Sequence, residues 1–184
     1  MLNQLSRSLA RLNRQTRQVT TELETWPAQR LSFRPSGEAW SALDVLEHLR
    51  LTEISVLAMM ERTLPEQNRV TVQDHVLNAR ILAVMLLPAR VRVPVAVKSI
   101  LPTAIERDLS ALRQAWEADR TKLAGFLESL SMVDRQQGVF RHPFGGWATA
   151  NGALLFLRSH LHHHRYQLAR LRRASKDLAT RCTG

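Results

Sequence analysis

His160-Leu161-His162-His163-His164-Arg165-Tyr166-Gln167 is the stretch from which the rest of the chain can be read. Four of the seven histidines fall within five consecutive positions there. The surrounding run, 149–176, has no proline and one early glycine, Gly152, which predicts a long helix. At about 100° per residue, Ala153, Phe156, Leu157, His164, Gln167, Leu168 and Leu171 fall within roughly 80° of His160. His160 and His164 therefore lie inside the apolar stripe, one turn apart. His162 falls on the solvent side and His163 on the rim. Two imidazoles at i and i+4 on an inward face can share one metal ion. The same spacing also occurs in ordinary cores, so the metal reading needs a third ligand on another inward face.

The candidate for that ligand is His48. Ser41 and Asp44 have the spacing of a capping box and open a second helix, about 41–64, closed by Pro65. Trp40 and Val45 are placed as its hydrophobic staple. Asp44, Val45, Leu51, Thr52, Ser55 and Met59 share the face of His48 within roughly 60°. Leu43, Leu46, Leu49, Ile54, Val56 and Leu57 make most of the remainder apolar, so the helix is expected to be largely buried. The strip around His48, with Asp44, Thr52 and Ser55, has the composition of a small pocket wall. Asp44 either orients His48 or serves the helix cap alone. Metal-bound histidines usually donate their second ring N–H to an oxygen, and Gln167 on the inner face is placed to accept from His164. His142 either lines the pocket mouth or only anchors its loop.

The remaining segments supply a frame for these helices. Leu5, Leu12, Val19 and Leu23 predict a first amphipathic helix to about Trp26, with Arg7, Arg11, Arg14 and Arg17 on a separate ridge read as solvated. Residues 72–87 read as a short helix, with His75 on its surface. Pro88 to Pro102 is a connector long enough to be a crossover. A further long helix is expected to open at Thr103, through a box with Glu106, and to run to about Leu130. Ser131 to Trp147 reads as a loop. The expected fold is all-α: a four-helix bundle in one domain, 1–184, with a long connector, carrying a short extra helix, between the second and third long helices. Facing helices of such bundles build metal sites from inward side chains. His48, His160 and His164 would form a three-histidine site with an open position for water and substrate.

Composition narrows the function classes. Lys plus Arg number 26 against 16 Asp plus Glu, a formal charge of +10, which permits an anionic partner without establishing one. The single cysteine, Cys182, rules out an internal disulfide, and with no signal peptide visible the expected location is cytoplasmic. The most apolar stretch, 81–101, is interrupted by Pro88 and Pro94 and carries Arg90, Arg92 and Lys98, so no membrane span is expected. No Gly-rich phosphate loop, Cys-x-x-Cys pair, Ser-His-Asp arrangement or paired-carboxylate site stands out.

Three segments together resemble the DinB-like superfamily, which includes YfiT-type hydrolases and bacterial thiol-dependent transferases. Trp40 to Leu49 is similar to that family's W-S-x-x-x-x-x-x-H-L helix start. His142-Pro143-Phe144-Gly145 is similar to its H-P-x-F-G loop, one residue tighter. His160 to Gln167 is similar to its closing H-x-x-x-H-R-x-Q helix. The likeness runs from about residue 5 to 173. It implies a four-helix bundle with His48, His160 and His164 on a divalent metal, often zinc or nickel, and frequent homodimers. It does not imply DNA binding. The reading is a metal-dependent enzyme acting on a small-molecule substrate, a hydrolase or a transferase using a low-molecular-weight thiol. A non-catalytic basic bundle binding nucleic acid or an acidic ligand is the alternative, although no base-reading element accompanies the charge. A metal-free bundle serving only assembly is a third reading.

Overall fold

The computed structural model describes residues 4–88, 98–103 and 108–181, the side chains of 98 and 176–181 excepted. Six helices lie among them: α1 (Gln4–Glu24), a short α2 (Ala28–Ser32), α3 (Ala42–Thr63), α4 (Val72–Leu86), α5 (Leu109–Ser129) and α6 (Ala150–Arg181). Two-residue strands β1 (Phe140–Arg141) and β2 (Trp147–Ala148) pair antiparallel, with Phe140 opposite Ala148. The segment 131–147, expected to be loop, contains most of this hairpin. Two residues per strand are too few to leave an alternating pattern in the sequence.

The helix starts follow local chemistry. Ser41 Oγ accepts from the Asp44 N–H while Asp44 Oδ2 accepts from the Ser41 N–H at 2.7 Å, the reciprocal box that satisfies two orphan donors. Thr71 and Asp74 repeat the device at α4. Trp40 packs with Val45 in one core cluster, as a staple would. The start expected at Thr103 is not where α5 begins. Asp108 is its N-cap, accepting from the Ala111 N–H at 2.7 Å, while the Thr103 hydroxyl donates to Glu47 on α3. Ile105 and Glu106 lie outside the described residues.

The core divides into two clusters. One gathers Leu5 and Leu12 of α1, Val56 and Met60 of α3, Leu123 and Leu127 of α5, and Ala153, Leu154, Phe156 and Leu157 of α6. The other gathers Val19 and Leu23, Val45, Leu46 and Leu49, Leu112 and Trp116, and Leu161, Leu168 and Leu171. The start of α1 thus shares a cluster with the start of α6 and with the ends of α3 and α5. Accordingly α1 and α6 run in one direction, α3 and α5 in the other. Two parallel helices cannot be joined by a tight turn, which accounts for the long connection carrying α4 between α3 and α5.

Between the two clusters the helices carry polar residues. Glu53 accepts from Trp116 Nε1 at 2.9 Å and from Arg120 at 2.5 and 2.6 Å; Arg120 also reaches Asn13 and Thr16 of α1. Glu53 is 2% exposed, so this pairing decides whether the charge is tolerable there. On α6, His160 lies where the two clusters meet, between Leu157 and Leu161, while His48 and His164 are flanked by residues of the second cluster.

Candidate metal centre

α3 and α6 bring His48, His160 and His164 together, each buried, with one ring nitrogen from each lying within 4.8 Å of the others. His160 sits in the middle: its Nε2 is 3.2 Å from His48 Nε2 and 3.1 Å from His164 Nε2. The outer nitrogens fix the tautomers. His48 Nδ1 faces the Ile100 carbonyl at 2.7 Å, and His164 Nδ1 faces Gln167 Oε1 at 2.9 Å. A nitrogen against an oxygen acceptor carries the proton, so in the neutral rings of His48 and His164 the Nε2 atoms hold lone pairs. Both lone pairs point at His160, whose own Nε2 has at most one proton to offer. This donor set fits a divalent cation, which three convergent imidazole lone pairs would satisfy together.

Electrostatics keep the donors available. Burial, then the neighbouring His164 and His48, hold His160 well below the ordinary imidazole range. Burial, then His48, push His164 down to about 3. Burial lowers His48 as well, partly offset by the Ile100 carbonyl. Neutral imidazole is the form that ligates a metal.

Aromatic rings enclose the cluster. Trp40 lies 4.8 Å from His48 and stacks at 6.3 Å with His164, while Phe156 stacks on His160 at 5.6 Å and an interplanar angle of 7°. His142 is one ring further out, 5.1 Å from Phe156, with its Nδ1 accepting from the Phe144 N–H at 3.2 Å. Its loop is pinned to α4: the Trp147 N–H donates to Asp74 and the Gly146 N–H to Asn78. A Cβ on Gly146 would stand 2.3 Å from Asp74 Oδ1, so the backbone can come this close only with glycine.

The other pocket residues read from the sequence have different surroundings. Both Asp44 oxygens are committed, one to Ser41 and one to Arg34 at 2.8 Å, and neither meets His48. The orienting oxygen for His48 is instead the backbone carbonyl of Ile100, which no sequence motif marks. Thr52 is buried and donates to the His48 carbonyl of its own helix at 2.8 Å. Ser55 is half-buried and has no hydrogen bond to the three rings. Gln167 does meet His164, at the spacing expected of it.

The remaining histidines fall elsewhere. His75 and Arg165 are exposed. His162 is half-buried rather than fully outward, 3.2 Å from the Tyr166 hydroxyl, because Tyr166 one turn on covers it. His163 reaches the carbonyls of Met85 and Leu87, and the Tyr166 hydroxyl donates to Leu86 at 3.4 Å. One side of the His cluster thus faces the proposed metal site, and another receives the last carbonyls of α4, which have no partner within their own helix.

Comparison with known proteins agrees with this architecture. The family model described as the DinB superfamily matches residues 11–168, and the chain belongs to that superfamily. Neither the curated proteins nor the solved structures give a match.

Proposed function

We propose that this DinB-superfamily chain is a metal-dependent enzyme whose divalent ion is held by His48, His160 and His164. The observation that carries the reading is the tautomer lock. Ile100 and Gln167 direct two Nε2 lone pairs at a third imidazole, in a setting too buried to resolve the conflict by protonation. Zinc and nickel suit an all-imidazole donor set. A divalent ion there supplies Lewis acidity toward a water, a carbonyl or a thiol. The chain's own residues orient and enclose: Gln167 and Ile100 hold two rings in the ligating tautomer, and Trp40 and Phe156 supply apolar walls.

Within this reading the whole chain, 1–184, is one domain laid out as a four-helix bundle. The substrate is a small molecule, and the reaction is hydrolysis or transfer to a low-molecular-weight thiol. The protein works in the cytoplasm, pairs as a homodimer as its resemblance suggests, and binds no specific nucleic acid. Among the described residues, no helix is long and apolar enough to cross a membrane.

The test is elemental analysis of protein purified without a polyhistidine tag, beside the His48→Ala, His160→Ala and His164→Ala variants. About one zinc or nickel per wild-type chain, absent from each variant, supports the assignment. A wild-type chain that stays metal-free after incubation with both ions refutes it.

A further inference from the structure

On the far side of α6 from the histidines, α1 and α6 border an open surface cleft of about 600 Å³. Arg7, Ser8 and Arg11 line it from α1, and Asn151, Leu155 and Arg158 from α6. The two stripes face each other because the helices run together in parallel; Ser8 Oγ donates to Asn151 Oδ1 at 2.7 Å across the floor. The volume lies within the usual span of small-ligand pockets, about 300–1,000 Å³.

The charge in this cleft is unbalanced. No carboxylate among the described residues pairs with Arg7, Arg11 or Arg158. Arg7 and Arg11 are exposed and Arg158 is half-buried, whereas the half-buried Arg50 lies on Asp119 at 2.8 Å and Arg120 on Glu53 at 2.5 Å. Arg158 Nε is buried and has no hydrogen-bond partner. Burial, and then the Arg11 charge, hold the Arg158 guanidinium below its ordinary range.

We infer that this cleft binds a phosphate-bearing small molecule, held by the guanidinium groups of Arg7, Arg11 and Arg158. Guanidinium forks match phosphate oxygens bidentately. Phosphate carries more charge than one carboxylate and answers more than one of the three cations. The Asn151 amide can donate from the floor, and the half-exposed Leu155 offers an apolar wall to the organic part of the ligand. The site is separate from the histidine cluster and does not depend on the metal reading.

Calorimetric titration of the full chain with inorganic pyrophosphate, after chelator treatment, tests it. The expected result is saturable binding near one per chain that weakens with salt. Arg158→Gln and Arg11→Gln should each lose about tenfold in affinity, the effect of removing one charge-assisted contact. His160→Ala should keep it, so failure here and failure of the metal assignment are distinguishable. Because Arg158 has no partner to lose, Arg158→Gln should melt at or above the wild-type temperature in anion-free buffer. Three results would overturn the inference: no saturable binding by wild type, wild-type affinity in both Gln variants, or a melting temperature lowered in Arg158→Gln. A ten-nucleotide single strand binding more tightly than pyrophosphate would also overturn it, in favour of a nucleic-acid surface.

Discussion

Replacing Gln167 by leucine removes the oxygen that faces His164 at the candidate metal centre. Gln167 Oε1 lies 2.9 Å from His164 Nδ1 and is the acceptor for that N–H among the described residues. Without it, the Nδ1–H tautomer loses its advantage, and the ring can carry its proton on Nε2, where it cannot ligate. A hydrogen bond of this neutral kind contributes about 0.5–1.5 kcal/mol, and a buried donor left unpaired costs about 1–3 kcal/mol. Gln167 is half-buried, so water replaces part of the loss, and the lower end applies. About 1.4 kcal/mol corresponds to tenfold weaker metal binding, the low end of what such supporting residues usually contribute. Gln167→Glu, with a stronger acceptor at the same reach, should bind at least as tightly as wild type. Competition against a chromophoric chelator measures both. If Gln167→Leu held zinc with wild-type affinity while His164→Ala lost it, the tautomer argument would be refuted although the ligand set survived.

Other expected outcomes follow from the same geometry. His162→Ala and His75→Ala should leave tight metal binding intact, whereas His48→Ala should abolish it; equal losses in chelator competition would mean that exposed histidines hold the metal. The three site histidines have folded-state pKa values below the ordinary 6.5, so the unfolded chain binds more protons than the folded one between those values. Chelated protein should therefore be stable above pH 6.5 and lose stability as pH falls below it, with His164 contributing down to about 3; melting from pH 7.5 to 4.5 should show a shallower fall in His164→Leu. Glu53→Ala strands the Arg120 guanidinium in the core and should cost about 3–5 kcal/mol in urea unfolding. Glu47→Gln weakens the hold on Thr103 and should lower metal affinity without removing a ligand, as read by the same chelator competition.

The helices and the imidazole cluster were legible because each depends on local periodicity. The capping box at Ser41, the inward phase of His160 and His164, and the Gln167 contact all follow from turns of a single helix. What stayed hidden depends on contacts between distant segments. Ile100 supplies a backbone carbonyl, which every residue has, so its role at His48 leaves no mark in the sequence. Thr103 looked like a helix cap because Glu106 stands three residues on, yet its hydroxyl is held by Glu47, 56 positions earlier. Glu53 and Arg120 belong to no sequence motif, and only the meeting of α1, α3 and α5 turns them into a buried network. His162 was placed on the solvent side and His163 on the rim of α6, but the neighbouring Tyr166 hydroxyl meets the end of α4 there.

The 2.7 Å contact between His48 and Ile100 ties the candidate metal centre to the connection between α3 and α5. Ile100 lies in a short helical turn, Lys98–Ile100, and Thr103 just beyond it is fastened to Glu47, the residue before His48. Coupling of this sort is reciprocal. If the position of this turn sets the affinity of His48 for an ion, the ion sets the position of the turn with the same free energy. Metal loading then becomes a property of the crossover as much as of the pocket. A protease probing 98–103, far from any ligand in sequence, should distinguish loaded from chelated protein.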